Sequence, residues 1–420
     1  MGNALSFRSN TETTLPGHKS VHDVEATRKV QQLIRANHAT YAVLYHNRIF
    51  HNHMPHLLGS AYLLGANATQ LVELYESESQ ELDKWEEDSP DEVTEDDWRN
   101  FYGHKEYQRG YRDYFDDEVV RASYDWKKIV MRYLLKDNTK LLNGLVCGVL
   151  HPLIHMAYAF ELDSAEIATE ALTMAATNYT PYAKFVDEYV SKYEGLTHPS
   201  TTKYLEKDPI AILHSIRDDD DFNRLDIKNA NIINLSKLFS DFEQELPRFI
   251  YRLDISGDLN NVMHKLFHTA SLLLTATHKT GDYQFDFALL HALTGAHAAF
   301  VLLPHFTQRH RVSVIASLWI YIVASYINMQ RPSIDVQRVL NYNGVAEESR
   351  NWEYVVNLAL NGDMKDDAHY IKAIRALKTL DDTYHDDIYL KQALLFATEA
   401  HSDWVFGTQD ETKTLDIKVL

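Results

Sequence analysis

Fifteen glycines and ten prolines are all that punctuate this chain of 420 residues. A polypeptide so short of turn-formers is poorly suited to many short strands and must run in long segments. Apolar spacing says which kind. Helical intervals predict helices over 26–46, 54–77, the stretch "YRDYFDDEVVRASYDWKKIVMRYLLK", 139–176 on either side of Pro152, 234–254, 258–278, 285–303, 311–330, 348–361, 366–380 and 386–405. Alternating apolar–polar runs are missing, and no solenoid-length repeat is visible. The expected fold class is all-α: a multi-helix bundle, read as two helical lobes around a central cleft. Residues 1–25 read as a flexible segment, 26–407 as a single domain and 408–420 as a polar tail. Two polar stretches interrupt the domain, an acidic loop over 80–100 and a connection over 197–221.

Charge removes one class of partner. A formal net charge of −19 offers no cationic face to a phosphate backbone, so nucleic acid is excluded as a partner. The single cysteine, Cys147, rules out an internal disulfide, and with no signal-peptide pattern the expected setting is the reducing cytoplasm. The segment "VSVIASLWIYIVASYINMQ" is long enough to cross a bilayer, but it carries several hydroxyl and amide side chains and has no companion. It is expected to be a buried central helix and not a transmembrane span. "MGNALS" fits the pattern for myristoylation at Gly2, a modification that anchors only weakly without a polybasic partner.

The chemistry-bearing residues are histidines placed in apolar company. Each buried imidazole must be bonded or must bind something, because an unsatisfied polar ring costs a few kcal/mol. In "HNHMPHLL", His53 and His56 share a helical face while His51 points elsewhere. His53 is expected to turn inward, with His51 and His56 at the helix start or the pocket rim. In "CGVLHPLIHMAYAFE", His151 precedes Pro152 and is expected at a break, outside the α region, with His155 one turn on. His291 sits among Leu289, Leu290 and Leu293, and His369 lies three residues before Lys372.

Lys372 has almost no polar surroundings, and a buried lysine tends to lose its proton and become a nucleophilic amine. That amine could act as a base, or take up carbon dioxide and present an anionic carbamate oxygen. A nitrogen-rich ligand set with one anionic oxygen suits Fe, Zn, Cu or Ni. Motifs for flavin, nicotinamide or ATP sites are absent, as are G-x-S-x-G and HExxH. Oxidation by this chain would therefore use a metal, or an electron-rich substrate meeting oxygen directly. Tyr158, Phe160, Phe285, Phe287, Trp319 and Tyr321 are the aromatic residues near these blocks that could line a cleft for a planar ring system.

"NRIFHNHMPHLLGSAYLLGA", "LVCGVLHPLIHMAYAFELDSAEIATEAL", "FDFALLHALT" and "DDAHYIKAIRAL", in that order and joined by the aromatic "FYGHKEYQRGYRDYFDDEV", resemble the motifs of the questin-oxidase-like proteins of fungal polyketide clusters. The resemblance runs from about residue 40 to 405. It implies an O2-dependent oxygenase that opens or expands a ring of an anthraquinone-type polyketide. It also implies non-haem Fe(II) held by His53, His151, His291, His369 and a carboxylated Lys372. His155 and Lys372 are then the catalytic candidates, and His56 and Tyr158 the substrate contacts. Two other readings stand beside it. One is a cofactor-free Baeyer–Villiger-type oxygenase using the histidines as bases. The other is a non-enzymatic helical scaffold, which would leave the four histidines scattered.

Overall fold

The computed structural model describes residues 23–85, 89–135, 141–195, 205–225, 235–278 and 281–405. Gly2 and the tail 408–420 lie outside the described residues, as does most of the segment 1–25. The described residues are all-α apart from one tiny hairpin.

Helix α1 (Val24–Thr40) starts on Asp23, whose carboxylate accepts from the Glu25 amide. The expected helix over 26–46 ends early, at a two-residue antiparallel pair, β1 (Leu44–Tyr45) with β2 (Phe50–His51). His46, Asn47 and Arg48 form its turn with positive φ, and the Gln108 side chain holds Leu44 by both its amide and its carbonyl. The hairpin feeds α2 (Met54–Leu63). Expected helix 54–77 breaks at Gly65, and Asn67 restarts the chain as α3 (Ala68–Glu78) with a complete capping box.

Past the acidic loop come α4 (Gln108–Arg121) and α5 (Trp126–Leu135), then α6 (His151–Leu162), α7 (Ala165–Thr177) and α8 (Pro181–Gly195). Three helices follow, α9 (Pro209–Arg217), α10 (Leu235–Asp241) and α11 (Leu246–Ile250), the last two standing where one helix over 234–254 was expected. Pro247 in the first turn of α11 explains the split, because it lacks the amide that would continue α10. The C-terminal part is α12 (Leu259–Thr275), α13 (Phe287–Leu302), α14 (Gln308–Asn328), α15 (Gln337–Leu340), α16 (Trp352–Asn361), α17 (Ala368–Tyr384) and α18 (Asp387–Glu399).

One apolar core runs from Ala26 to Trp404, so helices from both sides of the 197–221 connection share it. Four of them close a ring: α2 packs on α6, α6 on α13, α13 on α17, and α17 back on α2. Helix α7 covers the outside of α6 and also meets α1. A bidentate ion pair from Arg375 on α17 to Glu161 on α6, at 2.9 and 2.5 Å, ties the ring across the core.

Helix α14 is long and apolar enough to cross a membrane, as its sequence suggests, and is 83% buried inside the protein. It does have a companion: Phe287–His305, spanning α13, passes the same test and is equally buried. His291 and His297 interrupt the apolar run of that second segment, which is why the sequence hid it. Both helices are walls of the core.

Candidate active site

Each of the four helices of the ring delivers an imidazole from its N-terminal end. His53 is the residue just before α2, His151 opens α6, His291 lies one turn into α13 and His369 is the second residue of α17. Their rings meet inside the ring of helices. Centroids are 4.9 Å apart for His53 and His151, 4.6 Å for His53 and His369, 4.8 Å for His151 and His291, and 5.2 Å for His291 and His369. The scaffold reading required these residues to be dispersed, and the structure brings them together. Lys372, 1% exposed, reaches the same hollow with Nζ 3.4 Å from His291 Nε2.

Local structure fixes which nitrogen faces inward. His151 Nδ1 donates to the Gly148 carbonyl at 2.7 Å, and His291 Nδ1 donates to the Phe287 carbonyl at 2.7 Å. A carbonyl only accepts, so both rings keep a lone pair on Nε2. His369 Nδ1 faces Asp367 Oδ1 at 3.4 Å, and Asp367 is itself held by the His369 and Tyr370 amides and by Trp404 Nε1. His369 Nε2 is buried without a hydrogen-bond partner among the described residues.

The nitrogens of His53, His151 and His369 all lie within 4.8 Å of one another, and His53 Nε2 is 2.9 Å from His151 Nε2. Two imidazole nitrogens adjacent on one ion, each at ~2.1 Å, would be ~3 Å apart. The donor set thus fits a transition-metal ion: convergent lone pairs, outer nitrogens tied back, and one orphaned inward nitrogen. His291 stands outside this trio, beside Lys372.

Electrostatics keep the cluster neutral. Burial, then neighbouring cationic forms, drives His53, His56, His151 and His291 well below the usual imidazole value. Burial brings His51 down to about 3, and His369 to about 4 despite Asp367. Desolvation lowers Lys372 to about 7, against the pull of Asp367. Four helix starts also turn their positive ends to this hollow, which disfavours imidazolium and favours an anion.

His151 is not outside the α region as expected; its φ and ψ are −57° and −41°. Pro152 sits in the first turn, where its missing amide costs nothing, and the break moves upstream. Gly148, Val149 and Leu150 all have positive φ, an unfavourable geometry for a β-branched residue. A Cβ on Gly148 would lie 2.9 Å from His51 Nε2 and 3.0 Å from the Asn178 side chain. His51 stacks on His151 at 4.1 Å and bonds Asn178. Gly148→Ala should therefore lower unfolding free energy by about 2 kcal/mol, from strain at φ > 0. By moving the His151 carbonyl anchor it should also reduce kcat beyond what the folded fraction explains; denaturant titration beside turnover checks both.

His56, expected at the helix start or pocket rim, is wholly buried, between His53 on one side and Tyr158 and His155 on the other. The Tyr158 hydroxyl pairs with Ser60 Oγ at 2.5 Å. Of the other aromatic candidates, Phe287 packs on His291 and His369, while Trp319 donates to the Ile250 carbonyl and Phe160 packs on Trp126, both away from the cluster. Sequence reading missed Asp367 and Asn178, and also Glu170 and His38. The one signal for Glu170 was a lone acid inside "IATEALTMAAT".

The family profile for questin oxidase-like proteins matches residues 50–377, from ahead of His53 to beyond Lys372. A Baeyer–Villiger oxidase of Pestalotiopsis microspora is 22% identical, over 84% of this chain and 81% of that protein. The oxidoreductase AflY of Aspergillus parasiticus is 24% identical over 87% and 75%, and a questin oxidase of Aspergillus fumigatus 21% over 84% and 81%. With every converging histidine and Lys372 inside the matched span, the chain belongs to the questin oxidase-like family of oxidoreductases.

Proposed function

We propose that this protein uses O2 to cleave or expand one ring of an anthraquinone-type polyketide, with Fe(II) held by His53, His151, His291, His369 and a carboxylated Lys372. The observation that carries the reading is the meeting of four neutral imidazoles and one lysine amine in a water-poor hollow. Relatives named as Baeyer–Villiger and questin oxidases support the reaction class and the polyketide substrate.

Bound iron would supply the one-electron chemistry with O2 that a closed-shell phenol lacks. The chain's own residues do the rest. Imidazoles that stay unprotonated keep their lone pairs for the ion, and the Gly148, Phe287 and Asp367 contacts hold the rings in orientation. An amine lowered to about 7 is largely unprotonated just above neutrality, the form that adds to carbon dioxide with loss of a proton. The resulting carbamate places one negative charge where four helix starts favour it. Phe287 and Tyr158 present flat apolar faces at the cluster, suited to a polycyclic phenol. Cytoplasmic residence belongs to the same proposal, on the single buried Cys147, with Gly2 myristoylation a weak further anchor.

Metal analysis of freshly purified protein tests it. About one iron per chain is expected, lost in both His53→Ala and Lys372→Ala, together with loss of turnover on chelation. Full turnover after chelation would overturn the iron and leave the histidines as bases alone.

A further inference from the structure

Helix α12 carries a pair of histidines that the iron-binding set does not use. His264 and His268 are four residues apart, so they stand one above the other on a single face of the helix. His264 Nε2 lies 3.2 Å from the Tyr389 hydroxyl, and His268 Nδ1 lies 3.2 Å from the same oxygen. Tyr389 reaches them from α18 and is itself 1% exposed. The His264 ring is stacked on Tyr384, the last residue of α17, with centroids 3.5 Å apart and 15° between the planes. His369 lies near the other end of α17, roughly 22 Å away at ~1.5 Å of rise per residue, so this group is remote from the hollow.

Hydrogen bonding accounts for part of the arrangement. The phenol can donate to one ring and accept an N–H from the other. A buried hydroxyl is satisfied by one such partner, however, and the second imidazole is surplus to that need. Coordination uses both. Donors ~2.1 Å from one tetrahedral ion stand ~3.4 Å from one another, close to the 3.2 Å that separates each nitrogen from the phenolic oxygen. Two imidazoles and one oxygen suit Zn, Cu or Ni better than Mg or Ca. The rings are already oriented, His264 by Tyr384 and both by Tyr389, so binding has little left to order. Both histidines are partly exposed, which gives an ion a way in from solvent.

The surrounding charges agree. Asp386 caps α18 by accepting from the Ile388 amide, and its negative charge favours positive charge at both rings; Asp208 does the same for His268. Lys265 opposes them at His264, but its ammonium is drawn off to the Lys207 carbonyl at 2.9 Å.

We infer that His264, His268 and Tyr389 form a second metal site, which takes a divalent late first-row ion and fastens α12 to the corner between α17 and α18. Water completes the coordination from the exposed side. Helix α12 also packs on α13, and α13 and α17 are two walls of the ring that holds the candidate active site. An ion here braces those walls from outside, whatever occupies the hollow.

Zinc is the probe, and it is counted on the full chain. Chelator-treated wild type, His264→Phe and His268→Gln are dialysed against micromolar zinc, and the bound metal is measured. Phenylalanine keeps the stack on Tyr384 and glutamine can still donate to Tyr389, so each variant loses a metal-binding nitrogen with little loss of packing. Each should hold one zinc per chain fewer than wild type. Zinc taken up by His53, His151 and His369 is common to all three proteins and cancels in the difference. Tyr389→Phe keeps both nitrogens and should hold the same ion more weakly. Zinc should also raise the wild-type melting temperature several degrees more than that of either variant, because only the folded wild type binds the extra ion. Equal zinc in wild type and both variants, or melting temperatures that respond alike, overturns the inference.

Discussion

Replacing Lys372 by alanine should reduce turnover of a hydroxyanthraquinone by at least ~10³-fold, about 4 kcal/mol of transition-state stabilisation. The side chain is 1% exposed, has a histidine nitrogen as its hydrogen-bonding neighbour and, among the described residues, has no carboxylate bonded to it. Such an amine destabilises a fold, so a retained lysine implies work that an apolar residue would not do. Stability and activity should therefore part company. Lys372→Met should match or exceed the wild-type melting temperature while losing turnover, since it fills the same space without a desolvated polar end. Lys372→Arg should fail on both counts, because a guanidinium stays charged and cannot become a carbamate. Acetate or formate added to Lys372→Ala should restore part of the activity by placing a small carboxylate in the vacated space. Wild-type activity should fall as pH drops below about 7, where the amine binds a proton and ceases to react with carbon dioxide. Unimpaired turnover in Lys372→Met would remove the lysine from the chemistry altogether.

How far the sequence reveals this arrangement depends on which interactions decide each feature. Helices such as α12 and α18 follow from periodicity and from local caps, Asp258 on the Asn260 amide and Asp386 on the Ile388 amide. The β1–β2 hairpin does not, because its geometry depends on Gln108, some sixty residues away, bonding both polar groups of Leu44. His53, His151, His291, His369 and Lys372 stand out as polar groups in apolar segments, so the sequence marks them. Their convergence is a tertiary fact, set by the closed packing of α2, α6, α13 and α17. His56 was set at the rim because local spacing cannot tell that α6 and α17 cover it. His38 stayed hidden for another reason: it looks like an ordinary surface residue on an amphipathic helix until α1 is packed on α7, whereas Glu170 gave only the signal of a lone acid in an apolar helix.

Acid should unfold the chelated protein unusually early. Six histidines, His51, His53, His56, His151, His291 and His369, have folded-state values pushed below the usual one, first of all by burial. In the unfolded chain each titrates near ~6.5. Between that value and the depressed folded one, the unfolded state holds more protons, so stability rises with pH and is lost on acidification. His369 at about 4 and His51 at about 3 remain neutral in the fold down to pH ~4.5, and each can remove up to ~2–3 kcal/mol over that interval. Those two alone match the lower range of a typical folding free energy, ~5 kcal/mol, before the other four are added.

His38 works the other way, and Glu170, which has the same sign as the cluster, has a lower window. Burial opposes charge on His38, but Asp116 and Glu170 outweigh it and raise the imidazole to about 10, so its contribution is complete below ~6.5 and lost only as pH rises towards 10. Glu170 resists burial through the His155 and His38 bonds and falls to about 2; its contribution is present above ~4.5 and lost only as pH falls towards 2. Neither offsets the histidine loss between pH 6.5 and 4.5. Urea titrations at pH 7, 6 and 5 should thus give a steep slope, with at least two protons taken up per unfolding event at pH 5. A flat profile over that range would mean the cluster is not buried as a neutral set, and would take the convergent lone pairs away with it.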